Sequence, residues 1–206
     1  MYEKVVSTKT KRVLESLDKI EIIKNFYLAG GTALALQLGH RKSIDLDLFS
    51  RRSFSTEKLK TILSQIGKLK IYSEEKGTLN ASINGVKISF LRYKYKMLFP
   101  LIKYSKNLKL ASTQDIACMK IDAISSRGSK KDFIDLYFLL KKYSLKEILS
   151  LFDKKYQEIE YSRLHILKSL IYFQDAEGDP MSLMFENIDW NKVKRELRGS
   201  VRKFVE

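Results

Sequence analysis

A glycine turn between an apolar run and a helix-forming run constrains this chain more than any other feature. Residues 26–29 are apolar and predict a short buried strand, and Gly30-Gly31-Thr32 predicts a turn. The run from Ala33 to Leu38 favours a helix, which Gly39 ends. Backbone N–H groups at a helix start attract phosphate, and glycine lets an anion approach them closely. The segment therefore predicts a phosphate-binding turn.

Two aspartates follow on the next predicted strand. Residues 43–49 alternate apolar and polar side chains, and Asp45 and Asp47 stand two apart, so both are expected on one face. Two carboxylates on one face repel each other unless a cation lies between them. Hard oxygen ligands with open positions favour Mg²⁺, which bridges to nucleotide phosphates. The pair predicts a Mg²⁺ site, next to the turn if the two strands lie side by side.

The remaining chain changes character after Pro100. Further strands are predicted over residues 69–72, 78–83 and 86–93, the last two joined by a hairpin at Asn84-Gly85. Helices are predicted over residues 5–24, 55–66, 113–126, 130–142, 161–173 and 190–204, with another beginning at Ser144. We expect an α+β protein with a mixed-sheet α/β domain at residues 1–110. We also expect a helical domain at residues 111–206, which would complete an active cleft with the first domain.

The charge of the chain points to an anionic partner. The net charge is +15, and no Asp or Glu occurs between Lys76 and Gln114. Aromatic residues interleave with the cations of this stretch, which suits single-stranded nucleic acid. The alternative is a strand whose aromatic side chains face the core and whose lysines face water. No apolar run is long enough to span a membrane or resembles a signal peptide, so we expect a cytoplasmic protein.

The turn and the acidic pair together resemble a known superfamily. The order of turn, short helix and acidic strand is similar to nucleotidyltransferases typified by DNA polymerase β. More narrowly, residues 27–36 and 41–49 resemble the AbiEii/AbiGii toxin family, whose members are nucleotidyltransferase toxins of toxin–antitoxin and abortive-infection systems. A further block at residues 115–137 contains the Lys…Arg-Gly…Lys-Asp-x-x-Asp-Leu pattern of that family.

The resemblance implies an enzyme that transfers a nucleoside monophosphate from an NTP to an acceptor hydroxyl. Asp45 and Asp47 would hold Mg²⁺, and the catalytic set would also include Lys120, Lys131 and Asp132. The nucleotide-binding set would comprise Gly30, Gly31, Thr32, Arg41, Ser43 and Arg127. A cognate antitoxin would neutralise the toxin, and the basic stretch favours RNA as the acceptor, with the tRNA 3′ end as a candidate.

One departure from the superfamily pattern leaves alternatives open. A third carboxylate usually stands on a later strand, and the matching strand here, residues 86–91, contains Ser89 and no acid. Asp132 or Lys131 could supply a base instead. Alternatively, the metal site works with two carboxylates plus phosphate oxygens, or the protein is a catalytically impaired nucleotide- or RNA-binding module. A third possibility is transfer of the nucleotide to a protein hydroxyl.

Overall fold

The structure is a computed structural model that describes residues 1–206. Its strands are β1 (Tyr27–Ala29), β2 (Leu46–Ser50), β3 (Leu69–Glu75), β4 (Thr78–Ile83), β5 (Val86–Arg92), β6 (Ile102–Lys103) and β7 (Lys109–Leu110). Its helices are α1 (Thr8–Asp18), α2 (Gly30–Leu38), α3 (Thr56–Ser64), α4 (Thr113–Ser126), α5 (Lys130–Leu140), α6 (Leu145–Lys155), α7 (Arg163–Ser169) and α8 (Trp190–Val205). Short 3₁₀ turns occur at Glu3–Val5, Glu21–Asn25 and Gln174–Ala176.

All seven strands form one mixed sheet in the order β3-β4-β5-β2-β1-β7-β6. β1 pairs antiparallel with β2, whereas β2 pairs parallel with β5, and the register places Ala29 and Ser89 on either side of Asp47. The hairpin between β4 and β5 is confirmed. Asn84 and Gly85 both have positive φ, 50° and 77°, as a two-residue type I′ turn requires. The α+β prediction is therefore confirmed.

Several predicted boundaries differ from the structure. The helix expected over residues 5–24 is α1 flanked by two 3₁₀ turns, because the Asp18 carboxylate at its end binds the loop before β7. It accepts from the backbone N–H groups of Asn107 and Leu108 at 2.6 and 3.1 Å. The helix expected over residues 161–173 shortens to α7. The two-residue strands β6 and β7 were not predicted.

The two halves of the chain share one continuous core. Fifty buried apolar residues from both halves form a single cluster, and α4 packs against α2, α5, α6 and α7. The change from sheet to helices falls where expected, between Leu110 and Thr113. The division into two domains stays a prediction. No helix combines the length and the apolar character needed to cross a membrane.

Candidate active site

The turn and the acidic pair open onto one cavity of about 530 Å³. Its lining combines the start of α2, the segment that leads into β2, the end of α4, the start of α5 and residues 179–183. Of the sequence-predicted site residues, it includes Gly30, Gly31, Arg41, Ser43, Asp45, Asp47, Lys120, Arg127, Lys131 and Asp132. Thr32 is the one that does not line the cavity.

The two glycines of the turn leave no room for a side chain. A Cβ on Gly30 would lie 2.6 Å from Asp47 Oδ2, and one on Gly31 would overlap Arg41 Nη2. Gly30 also has a φ of +65°, which favours glycine. Helix α2 begins at Gly30, three residues earlier than expected. The close contacts place the free N–H groups of the α2 N-terminus directly beside the acidic pair.

Asp45 and Asp47 line the cavity together, although β2 begins only at Leu46. Burial, and then the charge of Asp45, raise the pKa of Asp47, whereas Lys120, Lys131 and Arg127 oppose the shift. The nearby cations therefore do not fully compensate the negative charge of the two carboxylates. No cluster of three or more His, Cys, Asp or Glu side chains could bind a metal on its own. Two carboxylates are nevertheless suitable ligands for Mg²⁺, because proteins commonly bind this ion through one or two carboxylates together with water and substrate phosphates.

The hydroxyl of Thr32 is committed to the protein. Thr32 is buried, and its Oγ1 hydrogen-bonds the Asp45 carbonyl and lies 2.8 Å from Ser43 Oγ. These bonds tie the start of α2 to the segment that contains Asp45. The expectation that Thr32 binds phosphate does not fit this geometry, since the hydroxyl faces that segment instead.

A buried ionic network lies behind the cavity. Asp135 receives Arg41 Nε at 2.7 Å, Arg41 Nη2 at 2.8 Å and Lys120 Nζ at 2.6 Å. Lys120 Nζ also bonds Asp132 Oδ1 at 2.7 Å, and His40 Nε2 lies 2.8 Å from Asp135. Arg41 and Lys120 hold the pKa of Asp135 well below its usual range, despite burial. Two cations and two carboxylates therefore balance one another.

This network corrects two sequence interpretations. Lys131 and Asp135 have the i,i+4 spacing of a helical ion pair, but that pair does not form, because Asp135 is buried and Lys131 lines the cavity. Lys131 Nζ lies 3.9 Å from Asp45 Oδ2 instead. Asp132 also stands at the third helical position after Ser129, where the backbone N–H of a capping box would donate to Ser129 Oγ, but this bond is absent. Ser129 Oγ donates to the Asp132 carboxylate at 2.6 Å.

Asp132 is poorly suited to act as a base. Its oxygens are occupied by Lys120, Ser129 and Arg127, the last at 3.3 Å. Although burial opposes the change, Lys120 lowers the pKa of Asp132. A carboxylate in this state binds a proton weakly, so the geometry favours a positioning role.

Lys42, Arg127 and Lys131 are the accessible cations of the cavity. The Arg127 and Lys131 side chains are 65% and 50% exposed and Lys42 is also exposed, whereas Lys120 is buried. Since Lys120 is already shared by two carboxylates, these three side chains are the cations left to compensate an anionic ligand.

The aromatic residues of the basic stretch pack into the protein. Tyr93 Oη lies 2.6 Å from Tyr156 Oη, Tyr95 packs edge-on against both tyrosines, and Tyr104 donates to Glu3. These side chains support the core-facing alternative rather than stacking on bases. Arg92, Lys94 and Lys96 remain exposed.

Residues 179–183 are the part of the cavity that sequence reasoning missed. Gly178 and Pro180 are typical of a loop, but no local pattern indicates where that loop lies. The sequence feature that comes nearest to indicating a role for this loop is its apolar character at Met181, Leu183 and Phe185, which do not have helical spacing.

Comparison with known proteins agrees with this architecture. The nucleotidyltransferase toxin MenT4 of Mycobacterium tuberculosis H37Rv superposes with a TM-score of 0.63 at 12% identity, over 95% of this chain and 82% of that one. The antibiotic-resistance factor ANT(2'')-Ia superposes with a TM-score of 0.53 at 15% identity, over 75% and 92% of the two chains. The fold is thus that of the nucleotidyltransferases.

Sequence comparison narrows the class. The family described as nucleotidyl transferase AbiEii toxin, type IV toxin–antitoxin system, matches residues 12–107. An uncharacterized protein of Aquifex aeolicus strain VF5 is 37% identical over 203 residues, which cover 95% of this chain and 96% of the relative. The chain belongs to the AbiEii nucleotidyltransferase toxin family.

Proposed function

We propose that this chain is a Mg²⁺-dependent toxin that transfers a nucleoside monophosphate from an NTP to an RNA hydroxyl, with the tRNA 3′ end favoured. It would act in the cytoplasm, where NTPs and RNA are present, and a separately encoded antitoxin would neutralise it. The observation that carries the proposal is the contact of Gly30 with Asp47. It brings the anion-binding helix start and the acidic pair to one point.

The cavity contains complementary groups for a metal-bound triphosphate. Asp45 and Asp47 would hold Mg²⁺, which when bound neutralises phosphate charge and makes the α-phosphorus more electrophilic. The N–H groups at Gly30 and Gly31 would bind phosphate oxygens. Arg127 and Lys131 would stabilise the negative charge that develops on the departing pyrophosphate.

The buried network would hold these groups in place. Asp135 fixes Arg41 against Gly31, and Asp132 fixes Lys120 and Arg127. Arg41 and Ser43 then shape the turn and need not contact the nucleotide. Preorganised charges of this kind avoid the cost of reorganisation during the reaction.

RNA as the acceptor is supported by charge. Arg92, Lys94 and Lys96 are exposed on a stretch that lacks acidic residues, so it can contact consecutive phosphates. The packed tyrosines of this stretch add nothing to base stacking. The attraction to RNA would therefore be mainly electrostatic and sequence-tolerant.

A second candidate function follows from Ser89. Ser89 pairs with Asp47 across β2 and β5, where a third carboxylate would stand, and its hydroxyl is a poor base at neutral pH. This position favours a nucleotide-binding module that does not turn over.

Pyrophosphate release distinguishes the two functions. The protein is incubated with Mg²⁺, each NTP and either total RNA or total protein from cells, and pyrophosphate is measured. We expect release that depends on one NTP and on the RNA fraction. Binding without release supports the module, and release that depends on the protein fraction supports a protein acceptor.

A further inference from the structure

The cavity also has an apolar, exposed part. Its lining includes three apolar side chains, Ile44, Met181 and Leu183, which are 67%, 38% and 68% exposed, and Pro180 lies beside them. The acidic pair and the accessible cations Lys42, Arg127 and Lys131 line the same cavity. Exposed apolar side chains grouped at a charged cavity indicate a surface that a ligand covers.

The segment at residues 179–185, here named the strap, is fixed at both ends. The Asp179 carboxylate accepts from Lys130 N at 2.9 Å at the start of α5. Near the other end, Lys42 N donates to the Leu183 carbonyl at 2.8 Å. The strap therefore runs from the helical half back to the segment before β2, and its apolar side chains stand in a set position.

The charged and the apolar groups of the lining suit different parts of a nucleotide. A triphosphate requires the N–H groups at the start of α2 and the cations, whereas a nucleobase has flat faces that favour apolar contact. We propose that Met181 and Leu183, together with Ile44, pack against the nucleobase of the NTP and set which nucleotide is selected. This inference rests on the proposed function and assigns the strap to the nucleotide rather than to the acceptor.

The test separates binding of the base from binding of the phosphates. Affinity is measured calorimetrically with Mg²⁺ for the four NTPs and for inorganic tripolyphosphate, using the wild type and the Met181→Ala/Leu183→Ala variant. We expect the dissociation constant of the preferred NTP to rise about tenfold or more, with tripolyphosphate affinity unchanged. Ile44→Ala should show a smaller change in the same direction.

Leu164→Ala is the matched control. Leu164 is 61% exposed on α7 and does not line the cavity, so its variant should bind NTP and tripolyphosphate as the wild type does. Normal tripolyphosphate binding by the strap variant also shows that the variant is folded.

Four results would overturn the inference. Unchanged NTP affinity in the strap variant would show that the strap does not contact the base, while the proposed function would remain intact. An equal loss of tripolyphosphate affinity in the strap variant would mean that the strap affects binding of the phosphates rather than of the base. A raised KM for RNA with unchanged NTP affinity assigns the surface to the acceptor. Failure of the wild type to bind any NTP removes the proposed function and this inference together.

Discussion

Asp47 and Ser89 stand opposite each other in the parallel register of β2 and β5. Adjacent strands are about 4.8 Å apart, so a carboxylate at position 89 would lie next to the acidic pair. The sequence interpretation that Ser89 takes the place of a third carboxylate is consistent with this register. The segment that contains Asp45 and Asp47 therefore supplies two carboxylates, and β5 adds no third one beside them.

Restoring an acid at position 89 should increase turnover. In Ser89→Asp the new carboxylate can accept the proton of the acceptor hydroxyl, and general-base catalysis typically contributes 10²- to 10⁴-fold. We expect at least a ~10-fold higher rate of pyrophosphate release, with a lower melting temperature in EDTA because three carboxylates repel one another.

Asn80→Asp is the control for that variant. Asn80 lies on β4, where it pairs with Ser89 and is one strand further from Asp47. The Asn80→Asp variant therefore adds the same charge at a greater distance from the acidic pair. Equal rates for Ser89→Asp and wild type would show that the missing acid does not limit the reaction.

The acidic pair should be essential for activity and dispensable for folding. Asp45→Asn and Asp47→Asn should each reduce transfer by about 100-fold or more, because the metal loses a ligand. The raised pKa of Asp47 means that its ionisation above the unfolded pKa costs stability in the absence of metal. Asp47→Asn should therefore melt at or above the wild-type temperature in EDTA at pH 7. Unfolding of both variants would make the pair structural.

Asp135, in contrast to the acidic pair, should be required for the stability of the fold. Asp135→Asn leaves the buried charges of Arg41 and Lys120 with too little compensation, which we expect to cost about 3–5 kcal/mol of unfolding free energy. The control is Glu186→Gln, which removes an exposed pair with Lys141 and should cost less than about 1 kcal/mol. Urea titration measures both. A small effect at Asp135 would contradict the balanced network.

The pH dependence of stability tests the same residue. The pKa of Asp135 is lowered in the folded state, so its contribution is present above its unfolded pKa and is lost as pH falls through the folded value. The unfolding free energy of the wild type should fall from about pH 5 towards pH 2. The Asp135→Asn variant should lose less over that interval, and parallel curves would assign the acid sensitivity elsewhere.

The exposed cations after β5 should carry RNA affinity. Replacing Arg92, Lys94 and Lys96 by Ala should weaken binding of single-stranded RNA and flatten the plot of log affinity against log salt by about 2. A triple variant of exposed cations on α8, at Lys192, Arg195 and Lys203, serves as the control. If both variants behave alike, the RNA site lies elsewhere and a protein acceptor gains support.

The local part of the site was predictable from sequence. The turn at Gly30 and the acidic pair are close in the chain, and strand alternation places both carboxylates near one edge. The buried network was not predictable, because Asp135 bonds Arg41 across 94 positions, and local spacing instead favoured a pair with Lys131. The strap has no helical periodicity, and its long-range bonds to residues 40–42 and to Lys130 place it at the cavity.

The central claim is that the α-phosphoryl group, with its nucleoside, moves to an acceptor. The most direct test incubates the protein with Mg²⁺, total cellular RNA and NTPs labelled at either the α- or the γ-phosphate, with Asp45→Asn as the control. We predict that the wild type attaches the α-label covalently to RNA and releases the γ-label as pyrophosphate. The Asp45→Asn variant should neither attach the α-label nor release pyrophosphate. Attachment of γ-label, or of no label by the wild type, would contradict the account.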